Sequence, residues 1–139
     1  MKLQELLVDL TTHYNALMRI AASQLNLTAP QVFILISIPF GGAPMSKLAH
    51  KLGLDPSTLT RNIQKLEKIG TCFRRAGSYD KRVKKVFLTS HGLTVVSDLE
   101  KILFEMNTAI MEQLDLDAQE NVQELLSNLV WAIDCIRDK

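Results

Sequence analysis

LAHKLGLDPSTLTRNIQKLEKIGTCFRRAGSYDKRVKKVFLTSHG, residues 48–92, holds two short helical patterns followed by a change of period. Leu48, Ala49 and Leu52 share one helical face that Gly53 ends, and Ser46 is placed to cap its start. Asp55 then supplies an N-cap and Pro56 a first-turn proline for a second helix over 56–68, with Leu59, Ile63, Leu66 and Ile69 on its apolar side. Two short helices across a tight glycine-containing turn predict a helix-turn-helix. Gly70 ends the second helix, and from there 71–76 and 83–88 read as strands. Gly77, Ser78, Tyr79 and Asp80 supply the turn between them, so the segment closes as a basic β-hairpin.

Outward from this centre the pattern is helical. Leu3, Leu6, Leu7, Leu10, Tyr14, Leu17, Met18 and Leu25 recur at three- to four-residue spacing with neither Gly nor Pro among them, which predicts a helix over about 2–24. Thr28 starts the next helix with Gln31 at the reciprocal capping-box position, and that helix ends before Pro39. Its run from Val32 to Ile36 is apolar nearly all round, as a buried central helix requires. Downstream, Thr89 caps a long helix to about residue 114, and Asp117 with Glu120 reads as the capping box of the last one. The fold class expected is mainly α with a small β-hairpin wing: a winged helix-turn-helix over 28–88 flanked by helical dimerisation parts, 1–27 and 89–139, in a single domain of 1–139.

The formal net charge of the 139 residues is only +1, but its distribution is uneven. Nine basic residues against Glu67 and Asp80 give residues 61–85 a charge of +7, and the remainder of the chain carries −6. Such a molecule presents one surface to a polyanion while its flanks are repelled by it. Burying Leu59, Ile63 and Leu66 turns Ser57, Thr58, Thr60, Arg61, Gln64 and Lys65 outward on the second helix. Arg61 suits a bidentate contact to guanine, Gln64 suits adenine, and the three hydroxyls suit phosphates or bases. A solvated polar face is the plainer reading of the same residues.

Within 48–92, the paired signals TRNIQKLEKIG and DKR followed by FLTSHG, at this spacing, resemble the characteristic segment of the MarR family of winged-helix transcription regulators. Thr71, Phe73 and the wing tip Gly77, Ser78, Tyr79 depart from that family's usual pattern. The resemblance implies a homodimer that binds a pseudopalindromic double-stranded DNA operator, most simply as a ligand-responsive repressor. It implies that Arg82 enters the minor groove oriented by Asp80, beside Lys81, while Arg74, Arg75, Lys84 and Lys85 hold phosphates. A hairpin salt bridge is the plainer reading of Asp80 with Arg82. It also implies a small-molecule effector between dimer helices and winged part, for which His13, Tyr14, Met18 and Arg19 are the candidate lining, against ordinary packing.

A dimer is independently expected, because Leu3, Leu6, Leu10, Leu17, Leu125, Leu129, Trp131 and Ile136 exceed what one small winged-helix core needs to bury. His13, His50 and His91 have no metal-ligand spacing, so no metal or cofactor is expected. Cys72 has two readings: a thiolate favoured by nearby Arg74 and Arg75, or a small apolar residue beneath the wing. No nucleophile elbow, phosphate-binding glycine loop or carboxylate pair points to an enzyme. A winged-helix protein-interaction module or antirepressor is the competing function. Neither a membrane span nor a targeting segment is legible, and a cytoplasmic location is expected.

Overall fold

In the computed structural model, which describes residues 1–138, the elements follow one another as α1 (Leu3–Ser23), α2 (Ala29–Ser37), β1 (Ala43–Pro44), α3 (Met45–Leu52), α4 (Pro56–Lys68), β2 (Cys72–Ala76), β3 (Lys84–Leu88), α5 (Ser90–Glu112) and α6 (Leu116–Arg137). The three strands form an antiparallel sheet ordered β1-β3-β2. The chain falls into two compact units, Met1–Ile102 and Leu103–Lys139.

The core of the first unit is built from Met18, Ala21 and Ala22 of α1, Val32, Ile34 and Leu35 of α2, Leu48 of α3, and Leu59, Ile63 and Leu66 of α4, with Val86 and Leu99. Local chemistry sets the helix boundaries. Thr28 accepts from Gln31 N at 3.3 Å while Gln31 Oε1 accepts from Thr28 N at 3.0 Å, the reciprocal capping box. Gly53 and Gly70 lie at φ +67° and +77°, the left-handed conformation that ends α3 and the turn after α4. Thr89 caps α5 by accepting from Gly92 N at 2.9 Å, and its own hydroxyl donates to Gly70 O.

Four local expectations differ from the structure. Helix α3 starts at Met45 with Pro44 at the cap position and no side-chain cap, so Ser46 lies inside the first turn rather than before it. Helix α6 starts earlier than expected, because Asp115 and not Asp117 accepts from Ala118 N, at 2.8 Å. Ile69, the C-cap residue of α4, is 49% exposed: the helix ends there, and its face no longer follows the helical period. Strand β1 was not anticipated. Two residues carry no periodicity, and Ala43 and Pro44 become a strand only by pairing with Val86 and Lys85.

In the second unit, Gln119 Nε2 donates to Met111 O at 3.0 Å and to Leu114 O at 2.8 Å, closing the turn between α5 and α6. Helix α6 buries none of its residues: Leu125, Trp131 and Ile136 are exposed, with Leu129 half-buried. On α1, Leu3, Leu6 and Leu10 are likewise exposed and Leu17 is half-buried. Among the described residues no helix is long and apolar enough to cross a membrane.

Candidate nucleic-acid interface

Helix α4 is held by its buried stripe Leu59, Ile63 and Leu66, which leaves Ser57, Arg61, Gln64 and Lys65 exposed and Thr58 and Thr60 half-buried. Its N-terminus is more organised than a solvated helix end. The Asp55 carboxylate accepts from the Ser57 hydroxyl, the Thr58 hydroxyl and Thr58 N. Those donors, the two hydroxyls first, hold the carboxyl down at about 2. The cap is therefore fully charged above the ordinary carboxylate value of 3.8, and its contribution is lost only as pH falls toward 2. Ser57 and Thr58 thus spend their single protons inside the protein, which leaves only acceptor lone pairs for anything outside.

The wing places its basic residues in three distinct settings. At the tip, Arg82 donates to Asp80 from its backbone N at 3.0 Å, from Nε at 3.2 Å and from Nη2 at 3.4 Å. Arg82's side-chain and backbone donors hold the Asp80 carboxyl below the usual carboxylate range. The pair does not hide the guanidinium, which remains 92% exposed. A carboxylate gripping one edge of an outward arginine limits its rotation and leaves the remaining donors facing solvent.

On the strands, the register pairs Phe73 with Phe87 and Arg75 with Lys85. The two rings stack at 5.3 Å, the Arg75 guanidinium lies 4.9 Å from the Phe87 centroid, and Lys85 Nζ lies 5.5 Å from it. Like charges directly across a ladder repel, and the contact each makes with the Phe87 ring offsets part of that cost. Gly42, at φ +77°, makes room for the ring: a Cβ there would overlap the Phe87 ring carbons.

Arg74 is differently employed. Its Nη2 donates to Glu67 Oε1 at 2.9 Å and its backbone N to Glu67 Oε2 at 3.2 Å. The pair ties β2 to α4, so the structure makes Arg74 a brace between helix and wing, whereas Lys81, Arg82 and Lys84 are exposed. Sequence reasoning missed three contributors: Glu67, Phe87 and Gly42. Glu67 had one legible signal, as one of only two acids within 61–85.

Cys72 takes the apolar reading. It is 3% exposed and its thiol is pushed up to about 11 by burial first and by Glu67 second, which outweighs the opposing pull of Arg74. The raised value also means that the folded state favours the protonated thiol, an effect present below the ordinary 9.0 and lost as pH rises toward 11. At pH 8, iodoacetamide should leave Cys72 unmodified in the folded protein and alkylate it after unfolding in guanidinium. Alkylation at equal rates in both states would contradict this burial.

Of the four residues expected to line an effector cavity, the structure brings Arg19 to a pocket. This hollow of about 440 Å³ lies between α1 and the start of α2 and is lined by Asn15, Arg19, Leu27, Thr28, Pro30 and Phe33 among others. Met18 is packed into the core at 1% exposure, His13 is exposed and Tyr14 half-buried. The helical period explains the split: Met18 faces α2 with Ala21 and Ala22, while its neighbour Arg19 turns a hundred degrees or so away.

Residues 27–84 match the model of the MarR family. Among solved structures, the chain is similar to apo MarR of E. coli, with a TM-score of 0.83 and 24% identity over 93% of this chain and 96% of that one. A single-residue variant of E. coli MarR complexed with operator DNA matches with a TM-score of 0.78 and 24% identity, covering 91% and 92% of the two chains. The S. aureus MepR–DNA complex matches with 0.77 and 19% identity, covering 95% and 98%.

Proposed function

We propose that this chain is a transcription regulator of the MarR family, a reading supported by the match of its residues 27–84 to that family's model and by the fold it shares with MarR and MepR. In this reading it binds double-stranded DNA sequence-specifically as a homodimer in the cytoplasm. The observation that carries the reading is the Asp80–Arg82 pair, which presents a 92% exposed guanidinium, braced by a carboxylate, at the tip of a basic wing. A surface ion pair adds little stability to a hairpin. An oriented cation at a wing tip is what minor-groove insertion needs, since a narrow groove concentrates negative potential.

In this assignment Arg61, Gln64, Lys65 and Thr60 face the major groove. Arg82 enters the minor groove with Lys81 beside it, and Arg75, Lys84 and Lys85 hold phosphates. The exposed leucines of α1, and separately the exposed Leu125, Trp131 and Ile136 of α6, supply apolar surface for a second copy of the chain. A regulator in this role needs no catalytic centre. A small molecule carrying a negative charge is the effector class that the Arg19 pocket suits, since its lining joins that guanidinium with the Asn15 side chain and the ring of Phe33.

Titration into a fluorescent duplex from upstream of its own coding sequence, and into a scrambled duplex, tests the reading. The expected preference is about a thousandfold. Affinity should also fall by about three orders of magnitude between 50 and 200 mM salt if some six phosphates are neutralised. Absence of binding to any duplex at low salt would refute it in favour of a protein-interaction module.

A further inference from the structure

Resting on the DNA-binding reading, we infer that Thr58 does not touch DNA but is a positioning residue for Arg61, held in that role by Asp55. The geometry is a directed chain of hydrogen bonds along the first turn of α4. The Thr58 hydroxyl donates to Asp55 Oδ1, and Arg61 Nη2 donates to Thr58 Oγ1 at 3.3 Å. A hydroxyl has one proton, and Asp55 takes it, so the oxygen faces Arg61 as an acceptor only.

A threonine in a helix otherwise divides between two side-chain rotamers, one of them bonded back to the preceding turn. The carboxylate selects the rotamer that points the oxygen at Arg61. Asp55 is itself immobilised by Ser57 and by Thr58 N, so the anchor of the chain is fixed by the N-cap rather than by solvent. Asn62 Nδ2 bonds to Thr58 O at 3.1 Å and adds a second tie at the same residue.

The consequence is a long, exposed arginine whose guanidinium is partly ordered before DNA arrives. Ordering a flexible side chain in advance removes part of the cost of binding. It also biases the guanidinium fork toward one orientation, and an arginine reads guanine by its fork geometry. Discrimination at one base pair should therefore depend on a hydroxyl that contacts no base.

The test uses the full chain and a duplex selected by it from a randomised pool, with each base pair then replaced in turn. Arg61→Ala identifies the base pair at which discrimination vanishes. At that pair Thr58→Val, nearly isosteric, should lose about two- to tenfold in discrimination, the range that ordering one side chain makes available. Other pairs and the salt slope should be unchanged, and Thr58→Ser should recover the wild-type value. A general loss of capping or stability would lower affinity evenly across sequences and would not be restored at one position. Should Thr58→Val unfold, Thr58→Ala, a better helix former, gives the same readout. Wild-type discrimination in these hydroxyl-free variants, with Arg61→Ala defective, overturns the inference and leaves the DNA-binding reading standing. Failure of the wild-type chain to select any duplex, or an Arg61→Ala variant that selects like wild type, overturns the assignment of Arg61 itself and this inference with it.

Discussion

Reversing the charge at both Arg61→Glu and Arg82→Glu is expected to lower operator affinity by about a thousandfold or more, with dimerisation intact. Each arginine is assigned a contact of the kind worth about 1–3 kcal/mol, and a glutamate adds repulsion from phosphates to that loss. The two losses should add, since the residues lie on different elements, α4 and the wing tip. Neither residue lies on α1 or α6, so sedimentation of the variant should match wild type. Titration of operator and scrambled duplexes separates the contributions: Arg61→Glu alone should erase preference at a base pair, while Arg82→Glu should weaken binding most where the minor groove is narrow. Affinity within threefold of wild type for the double variant would remove the recognition helix and the wing from the interface together.

A second large effect is expected far from any DNA contact. Gly92→Ala should cost about 3 kcal/mol, the upper end of what overpacking does, and lower the thermal midpoint by about 10 °C. A Cβ at Gly92 would overlap Thr71 O and lie 2.9 Å from Thr71 C. Both are main-chain atoms that no rotamer change can move. The same carbonyl accepts from Thr89 N at 3.0 Å, and the Thr89 hydroxyl donates to Gly70 O, so any retreat breaks bonds at the junction of α4, β2 and α5. Calorimetry reads the result directly; a midpoint within a degree of wild type would mean that this close approach does not exist in solution.

These two predictions meet at one structural point. The turn after α4 feeds directly into β2, and Thr89 clamps that turn onto the start of α5, its backbone N donating to Thr71 O and its hydroxyl to Gly70 O. Helix, wing and long helix are thus joined through Gly70 and Thr71, and the Glu67–Arg74 pair adds a polar brace alongside.

Much of this architecture could be read directly from residues. Thr28 with Gln31, Asp55 with Pro56, and Gly53 and Gly70 mark helix ends through chemistry that acts over three or four residues. The hairpin was legible for the same reason, since turn residues separate two runs of strand-forming ones. Where such signals compete locally, the reading slipped: Asp115 and Asp117 both suit a cap, and only the path of the preceding turn selects Asp115.

The candidate interface divides along the same line. Exposure of Arg61, Gln64 and Lys65 follows from helical period, and the Asp80–Arg82 pair from a two-residue spacing at a turn. The use of each basic residue does not follow, because charge counts treat all arginines alike. Glu67 reaches Arg74 across seven residues, and Phe87 gathers Phe73, Arg75 and Lys85 across a strand register. Sequence by itself determined the helices, the hairpin and the basic surface, since capping, periodicity and charge are properties of neighbouring residues. Only the tertiary structure decided that Arg74 braces, that the Thr58 hydroxyl bonds Asp55 and Arg61, that Met18 is core, and that Cys72 is buried with its thiol pushed up. Those outcomes depend on which distant groups share a volume, and hydrogen-bond partners and desolvation are set there rather than along the chain.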